Sequence, residues 1–181
     1  NCVPESASST HQPTHRMLTL LTFASDAPSG GPPQWQAHLQ SALQAHQSGD
    51  LSAAAPLYKA ALDGHAPLRQ SWQVLNNYGL SIQSEDPEAA AASFREVLAL
   101  PGQHENADAY FNLGNALSDT AAHAEAVEAY GAAAKLTPDD GEFAAAHGGA
   151  LLQAGAAAEA VAALRGVCGA LRSAPPGGAD W

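Results

Sequence analysis

Residues 108–138, DAYFNLGNALSDTAAHAEAVEAYGAAAKLTP, contain the most regular pattern of the chain. Large apolar residues first recur three to four positions apart, and the small Gly114 stands among them. After a turn, a second segment places the small Ala126 four residues before Tyr130. Spacings of three and four residues are typical of one face of an α-helix. The stretch therefore predicts two helices that cross closely, because Gly114 and Ala126 leave room for larger side chains between them.

The pattern returns 34 residues later, and in weaker form twice before. The matches at an offset of 34 are Gly114 with Gly148, Leu117 with Leu151, Ala121 with Gly155, Ala126 with Ala160, and Tyr130 with Leu164. Upstream, at offsets of 35 and 36, Asn77 and Gly79 match Asn112 and Gly114, and Ala54 and Tyr58 match Ala90 and Phe94. A period in this range indicates stacked structural repeats. We predict four units, at 35–68, 72–101, 107–140 and 141–173.

The segments outside these units have a different composition. Residues 1–34 are rich in Ser, Pro, Thr and Gly and are predicted to form a flexible leader, and residues 174–181 a tail or linker. Within the leader, Met17–Ala24 is apolar, and both a signal-peptide core and part of a loosely docked tail remain open for it. Pro67, Pro101 and Pro138 follow successive helical stretches and are interpreted as helix stop signals.

Residues 108–117, with Ala126, Tyr130, Ala133 and Pro138, resemble a tetratricopeptide repeat, a family with a period of about 34 residues. The resemblance extends over about residues 35–172, and it is weakest in the first unit, where Ala42 replaces the glycine. It implies an all-α fold, an α-solenoid of about four helix-turn-helix repeats in a right-handed superhelical stack. It also implies that the first helix of each unit lines a concave groove that binds another polypeptide.

In this family the groove is lined by the second, fifth, sixth, ninth and twelfth residues of each first helix. The polar residues at those positions in units two and three are our candidate peptide contacts: Gln73, Asn76, Asn77, Gln83, Asp108, Asn112 and Asn115. An amide side chain offers donors and an acceptor that match the backbone of an extended peptide. The sixth position is similar to the asparagine ladder in the repeat arm of O-GlcNAc transferases, although Ala146 interrupts it. The alternative is that these are merely polar residues that a groove tolerates.

The charge of the chain restricts its partners. Seven basic residues stand against eighteen acidic ones, and the net charge is −11. Nucleic acids and anionic membrane surfaces require basic patches, so we expect neither as a partner. A clamp for a peptide carboxylate would likewise need cations, which the groove positions lack. We expect a neutral to basic protein segment, with Asp108, Asp119 and Glu142 as an acidic rim or as ordinary solvated carboxylates.

No catalytic or metal-binding motif is recognisable. Of the eight histidines, His11 and His15 lie in the leader, and His38 and His46 are eight residues apart. The other four fall in different units without paired Cys or carboxylate at ligand spacing, so we predict no metal, no cofactor and no enzymatic activity of the chain by itself. His147, which replaces an apolar residue, is expected to be a partly buried structural side chain, and Cys168 a core residue. Cys2 and Cys168 form no disulfide framework, which favours the cytoplasm.

Three functional hypotheses remain. The first is a scaffold that binds a polypeptide in its groove. The second is the substrate-docking arm of a larger enzyme, such as an O-GlcNAc transferase-like glycosyltransferase or another repeat-linked transferase or hydroxylase. The third is self-association through the last helix, where Val161, Leu164, Val167 and Leu171 form an apolar stripe without a polar capping helix.

Overall fold

A computed structural model describes residues 33–173, with side chains up to residue 165. The predicted leader up to residue 32 and the tail at 174–181 lie outside the described residues, as do the side chains of Val167, Cys168 and Leu171. The described chain is all-α, as predicted, and its helices form four consecutive pairs. The helices are α1 (Gln34–Gln47), α2 (Leu51–Gly64), α3 (Trp72–Ile82), α4 (Pro87–Ala99), α5 (Ala107–Asp119), α6 (His123–Leu136), α7 (Gly141–Gln153) and α8 (Ala157–Ser173).

In each pair, one small residue on the first helix packs against one large side chain on the second helix. A Cβ atom placed on Gly79, Gly114 or Gly148 would lie 2.6–2.7 Å from Phe94, Tyr130 or Leu164, respectively. The equivalent residues of the first pair, Ala42 and Tyr58, are both fully buried. The first helix can approach the second only because it carries so little bulk at this point. This contact is the physical origin of the repeated small-then-large pattern.

The core continues from one unit to the next. Tyr58 of the first pair, Leu75 and Val97 of the second and Ala109 of the third belong to one buried cluster. Phe94 and Tyr130 belong to a second cluster, which reaches from Ala55 on α2 to Ala150 on α7. A helix pair of this size cannot bury its apolar face alone, so each unit depends on its neighbour for stability.

The turns and caps follow ordinary backbone chemistry, with one exception. Asp50, Asp86, Asn106 and Asp140 each accept a backbone N–H at the start of α2, α4, α5 and α7. The turns inside units one and four place Gly49 and Gly155 at φ +80°, where glycine is favoured. Unit three places Ala121 there instead, at φ +58°. This is a strained position for a residue with a Cβ atom.

α2 ends at Gly64, three residues before Pro67, as expected for a helix stop signal. The 3₁₀ helix Ala66–Gln70, which has Pro67 in its first turn and joins α2 to α3, was not predicted. Proline is tolerated there because its missing N–H would be unpaired anyway. The 3₁₀ helix places Leu68 in the core, at 1% exposure, and so fills the space beside Tyr58 and Val97.

Candidate functional site

The first helices of units two, three and four lie side by side and contact one another through their side chains. Asn112 Nδ2 donates to Asn76 Oδ1 at 3.0 Å, which joins α5 to α3. Gln83 Nε2 donates to Asp119 Oδ2 at 2.8 Å, which joins the same two elements nearer their ends. The rings of Phe111 on α5 and Phe143 on α7 are 4.9 Å apart. We call the continuous surface formed by the groove positions of α3, α5 and α7 the A-helix face.

Six of the seven sequence-predicted contact residues lie on α3 or α5, and Gln83 directly follows α3 as its C-cap. Asp108 is exposed, whereas the six amides are half-buried: Gln73, Asn76, Asn77, Gln83, Asn112 and Asn115. The structure pairs Asn76 with Asn112, and it gives Gln83 a partner, Asp119, that was predicted only as part of a rim. These bonds between neighbouring units were not predicted. The identical offset of 36 residues between both pairs was the signal that was available.

Asn115 is held by a residue of the second helix of its own unit. The Tyr130 hydroxyl donates to Asn115 Oδ1 at 2.7 Å. Burial raises the pKa of Tyr130, the nearby Ser118 hydroxyl lowers it in part, and the Asp119 charge raises it further. The phenol therefore stays protonated and able to donate. Because the side-chain oxygen of Asn115 already accepts the Tyr130 hydroxyl, the side-chain N–H groups of Asn115 remain available to a ligand.

Asn77 has a different neighbour, Tyr58 of the preceding unit. The Tyr58 hydroxyl is buried and makes no hydrogen bond of acceptable geometry. Burial raises the pKa of Tyr58 to about 12, an effect that the nearby Asn77 amide partly opposes. The Asn77 amide is adjacent to the phenol and forms no hydrogen bond with it. Asn77 is therefore less firmly oriented than Asn115, although both belong to the same surface.

The basic residues of the described chain all lie outside its first helices. The first helices α1, α3, α5 and α7 contain three carboxylates, Asp108, Asp119 and Glu142, and no Lys or Arg. All cations of residues 33–173 lie on the second helices or the 3₁₀ helix: Lys59, Arg69, Arg95, Lys135, Arg165 and Arg172. Three of them pair with carboxylates of those same elements, Lys59 with Asp63, Arg69 with Glu96 and Arg95 with Glu125. The A-helix face therefore attracts cations and repels anions.

His147 lies away from this face, between α7 and α6. A Cβ atom on Gly131 would be 3.1 Å from its Nε2 atom, so the ring fills the space that Gly131 leaves. Burial lowers the pKa of His147, Lys135 lowers it further, and Glu159 partly opposes them. The ring is partly buried, as the sequence suggested, and it serves packing between unit three and unit four.

Metal clusters and membrane-spanning helices are both absent from the part of the chain that the structure describes. Among the side chains that the structure describes, no three His, Cys, Asp or Glu residues are grouped so that they would hold a metal ion. Within the same part of the chain, no helix is both long enough and apolar enough to cross a bilayer.

Comparison with known proteins gives one family match and many structural neighbours. The tetratricopeptide repeat family matches residues 107–140, and no curated protein sequence matches the chain. A crystal structure of MamA superposes with a TM-score of 0.68 at 20% identity, over 78% of this chain and 80% of that one. MamA from Desulfovibrio magneticus RS-1, residues 41 to the end, gives 0.70 at 17% identity, over 80% and 79%.

A third neighbour is described explicitly as a tetratricopeptide repeat protein, from Parabacteroides merdae ATCC 43184. It superposes with a TM-score of 0.66 at 16% identity, over 77% of this chain and 54% of that one. At these identities the likeness concerns the fold. The described chain therefore has the fold of a tetratricopeptide-repeat α-solenoid.

Proposed function

We propose that this protein is a non-catalytic scaffold whose A-helix face binds a neutral to basic segment of another protein, extended or helical. The observation that carries the proposal is the row of half-buried amides across α3 and α5, on a face that contains carboxylates and no cation. Amides that already have one partner inside the protein are held in place and lose little conformational entropy on binding. These amides would form hydrogen bonds with backbone groups of the bound segment, so its side chains would be recognised at other positions of the A-helix face.

The test requires a ligand that is chosen without assuming its sequence. The 181-residue chain would be used to select peptides from a displayed library of random dodecapeptides, and their affinities would be measured by titration calorimetry. Asn77→Ala combined with Asn112→Ala should weaken the selected peptides by about ten-fold or more, since each lost hydrogen bond contributes about 0.5–1.5 kcal/mol.

The matched control is Glu88→Ala combined with Glu128→Ala, two exposed residues on the second helices α4 and α6. This control should leave the affinity unchanged. Equal affinity of the peptides for wild type and for the Asn77 and Asn112 double variant would contradict binding on the A-helix face.

Self-association is a second candidate, and one observation favours it. Ala55 and Ala91 are buried, and the equivalent residue of the last unit, Val161, is 51% exposed. An exposed apolar residue at the position that contacts the next helix in earlier units suits a second copy or a further repeat. A concentration-dependent increase in mass by light scattering, abolished by Val161→Glu, would support it. A monomer at every concentration would refute it.

The docking-arm hypothesis uses the same face and differs only in what the arm serves. A globular catalytic domain encoded in the same reading frame would favour an arm of a larger enzyme, of the O-GlcNAc transferase-like type or another. A stop codon near residue 181 would favour the free scaffold.

A further inference from the structure

The chemistry of the A-helix face changes abruptly at α7. On α3 and α5 most groove positions carry amides, whereas on α7 the positions after Glu142 carry Ala145, Ala146, Gly149 and Leu152. Ala145, Gly149 and Leu152 follow one another at intervals of four and three residues, so they lie on one face of the helix. This part of the face offers no side-chain hydrogen bond to a ligand.

The surface of α7 at these residues is open and apolar. A Cβ atom on Gly149 would meet nothing within 4 Å, whereas one on the adjacent Gly148 would lie 2.6 Å from Leu164. Leu152 is 53% exposed, the highest value among the large apolar side chains that the structure describes. Phe111 is half-buried and stands at the fifth position of α5, the groove position that Ala145 holds on α7, and its ring contacts Phe143 of that helix. We call Phe111, Ala145, Gly149 and Leu152 together the α7 floor.

An exposed carboxylate, Asp108, stands on α5 on the side of Phe111. No Lys, Arg or His nitrogen of the described side chains pairs with it. It precedes Phe111 by three residues and so lies on the same side of α5. A ligand that covers the floor therefore passes close to an uncompensated negative charge.

We propose that the segment bound on the A-helix face is bipartite, with a large apolar side chain on the α7 floor and a Lys or Arg facing Asp108. This inference rests on the proposed function and adds the identity of the two side chains that are read. Charge complementarity selects the cation, because the first helices supply only carboxylates on this face. Apolar contact selects the second residue, because covering Leu152 removes exposed hydrocarbon from water.

The spacing of the two side chains follows from helix geometry. Gly149, at the centre of the floor, lies on the neighbouring first helix, so it is displaced from Asp108 by about 10 Å across the helix axes. It also lies about two helical turns further along the axis, which adds a displacement of about 10 Å in that direction. The separation is then on the order of 14 Å. An extended segment advances about 3.3 Å per residue, so the cation and the apolar side chain should stand about four residues apart.

The library selection described above tests this composition directly. Peptides selected by the wild-type chain should be enriched in Lys or Arg and in Leu, Ile, Phe or Met, about four residues apart. Selection with Asp108→Lys should replace the basic residue by Asp or Glu and keep the apolar one. Leu152→Gln should weaken wild-type peptides about ten-fold, while the control Leu136→Gln, an exposed leucine on α6, should not.

The outcomes separate this inference from the function on which it rests. One outcome would be selected peptides that lose affinity with Asn77→Ala and Asn112→Ala but are enriched neither in basic nor in apolar residues. This result would contradict the bipartite segment and would still support binding on the A-helix face. Peptides indifferent to every substitution on α3, α5 and α7 would overturn both. Thermal melting of each variant shows whether an affinity change reflects the surface or a loss of folding.

Discussion

Gly114 and Tyr130 lie so close that a Cβ atom on the glycine would sit 2.7 Å from two carbons of the tyrosine ring. The same tyrosine places its hydroxyl on Asn115, a candidate contact residue of the A-helix face. The Tyr130 side chain thus packs between the two helices of its pair with its ring and orients the Asn115 amide on the surface with its hydroxyl. This contact links the packing of the repeat to the surface that we propose to bind a partner.

Replacing Gly114 by alanine should destabilise the protein. The ring of Tyr130 leaves no room for the added methyl group, and overpacking of this kind costs about 1–3 kcal/mol. Urea denaturation followed by circular dichroism would show a lower midpoint.

The control for that substitution is Gly149→Ala, also within a first helix. Its Cβ atom would meet nothing within 4 Å, and alanine is favoured over glycine in a helix by about 1 kcal/mol. This variant should therefore be at least as stable as the wild type. Equal destabilisation by both substitutions would contradict the packing argument.

Replacing Ala121 by glycine should stabilise the turn between α5 and α6. Ala121 adopts φ +58°, a conformation that costs a non-glycine residue about 1–2 kcal/mol, and the equivalent residues in units one and four are glycines. Ala124→Gly is the control. Ala124 is exposed within α6, where glycine is less favourable than alanine, so this substitution should not stabilise. A lower denaturation midpoint for Ala121→Gly would refute the assignment of strain.

His147 should make the stability of the stack depend on pH. Its folded-state pKa lies below the ordinary value, because burial and Lys135 disfavour the charged ring. The unfolded chain then binds the proton more readily than the folded chain. Stability is fully present above the unfolded pKa of about 6.5, and it declines as the pH falls from there toward the folded pKa.

His147→Gln should flatten this part of the profile of denaturation midpoint against pH. His104→Gln, which changes an exposed histidine in a loop, should leave the profile as it is. Identical profiles for the wild type and His147→Gln between about pH 7 and pH 5 would show that the ring does not couple protonation to folding.

The two buried phenols should respond oppositely to loss of the hydroxyl. Tyr130→Phe removes the bond to Asn115 and should cost about 0.5–1.5 kcal/mol in stability, together with some affinity for selected peptides. Tyr58→Phe removes a buried hydroxyl without a good hydrogen bond, so stability should be unchanged or higher. A loss of stability in Tyr58→Phe would indicate that Asn77 is a true partner of that phenol.

The repeat could be predicted from the sequence, whereas the hydrogen bonds between neighbouring repeats could not. The recurrence of Gly114 as Gly148 and of Tyr130 as Leu164 records a packing constraint, which acts within about 34 residues and is therefore visible as a period. The bond between Asn76 and Asn112 depends on how α3 and α5 stack, which no local spacing determines. Pro67 was interpreted correctly as following the end of α2, but the 3₁₀ helix around it was not predicted, because a proline is equally compatible with a loop and with the first turn of a 3₁₀ helix.

The most direct test of the account is calorimetric titration of a library-selected peptide into the Asn77→Ala and Asn112→Ala double variant. We expect a well-folded protein whose dissociation constant is raised about ten-fold or more, while the Glu88→Ala and Glu128→Ala control binds like the wild type. A folded double variant that binds with wild-type affinity would show that the A-helix face is not the binding surface.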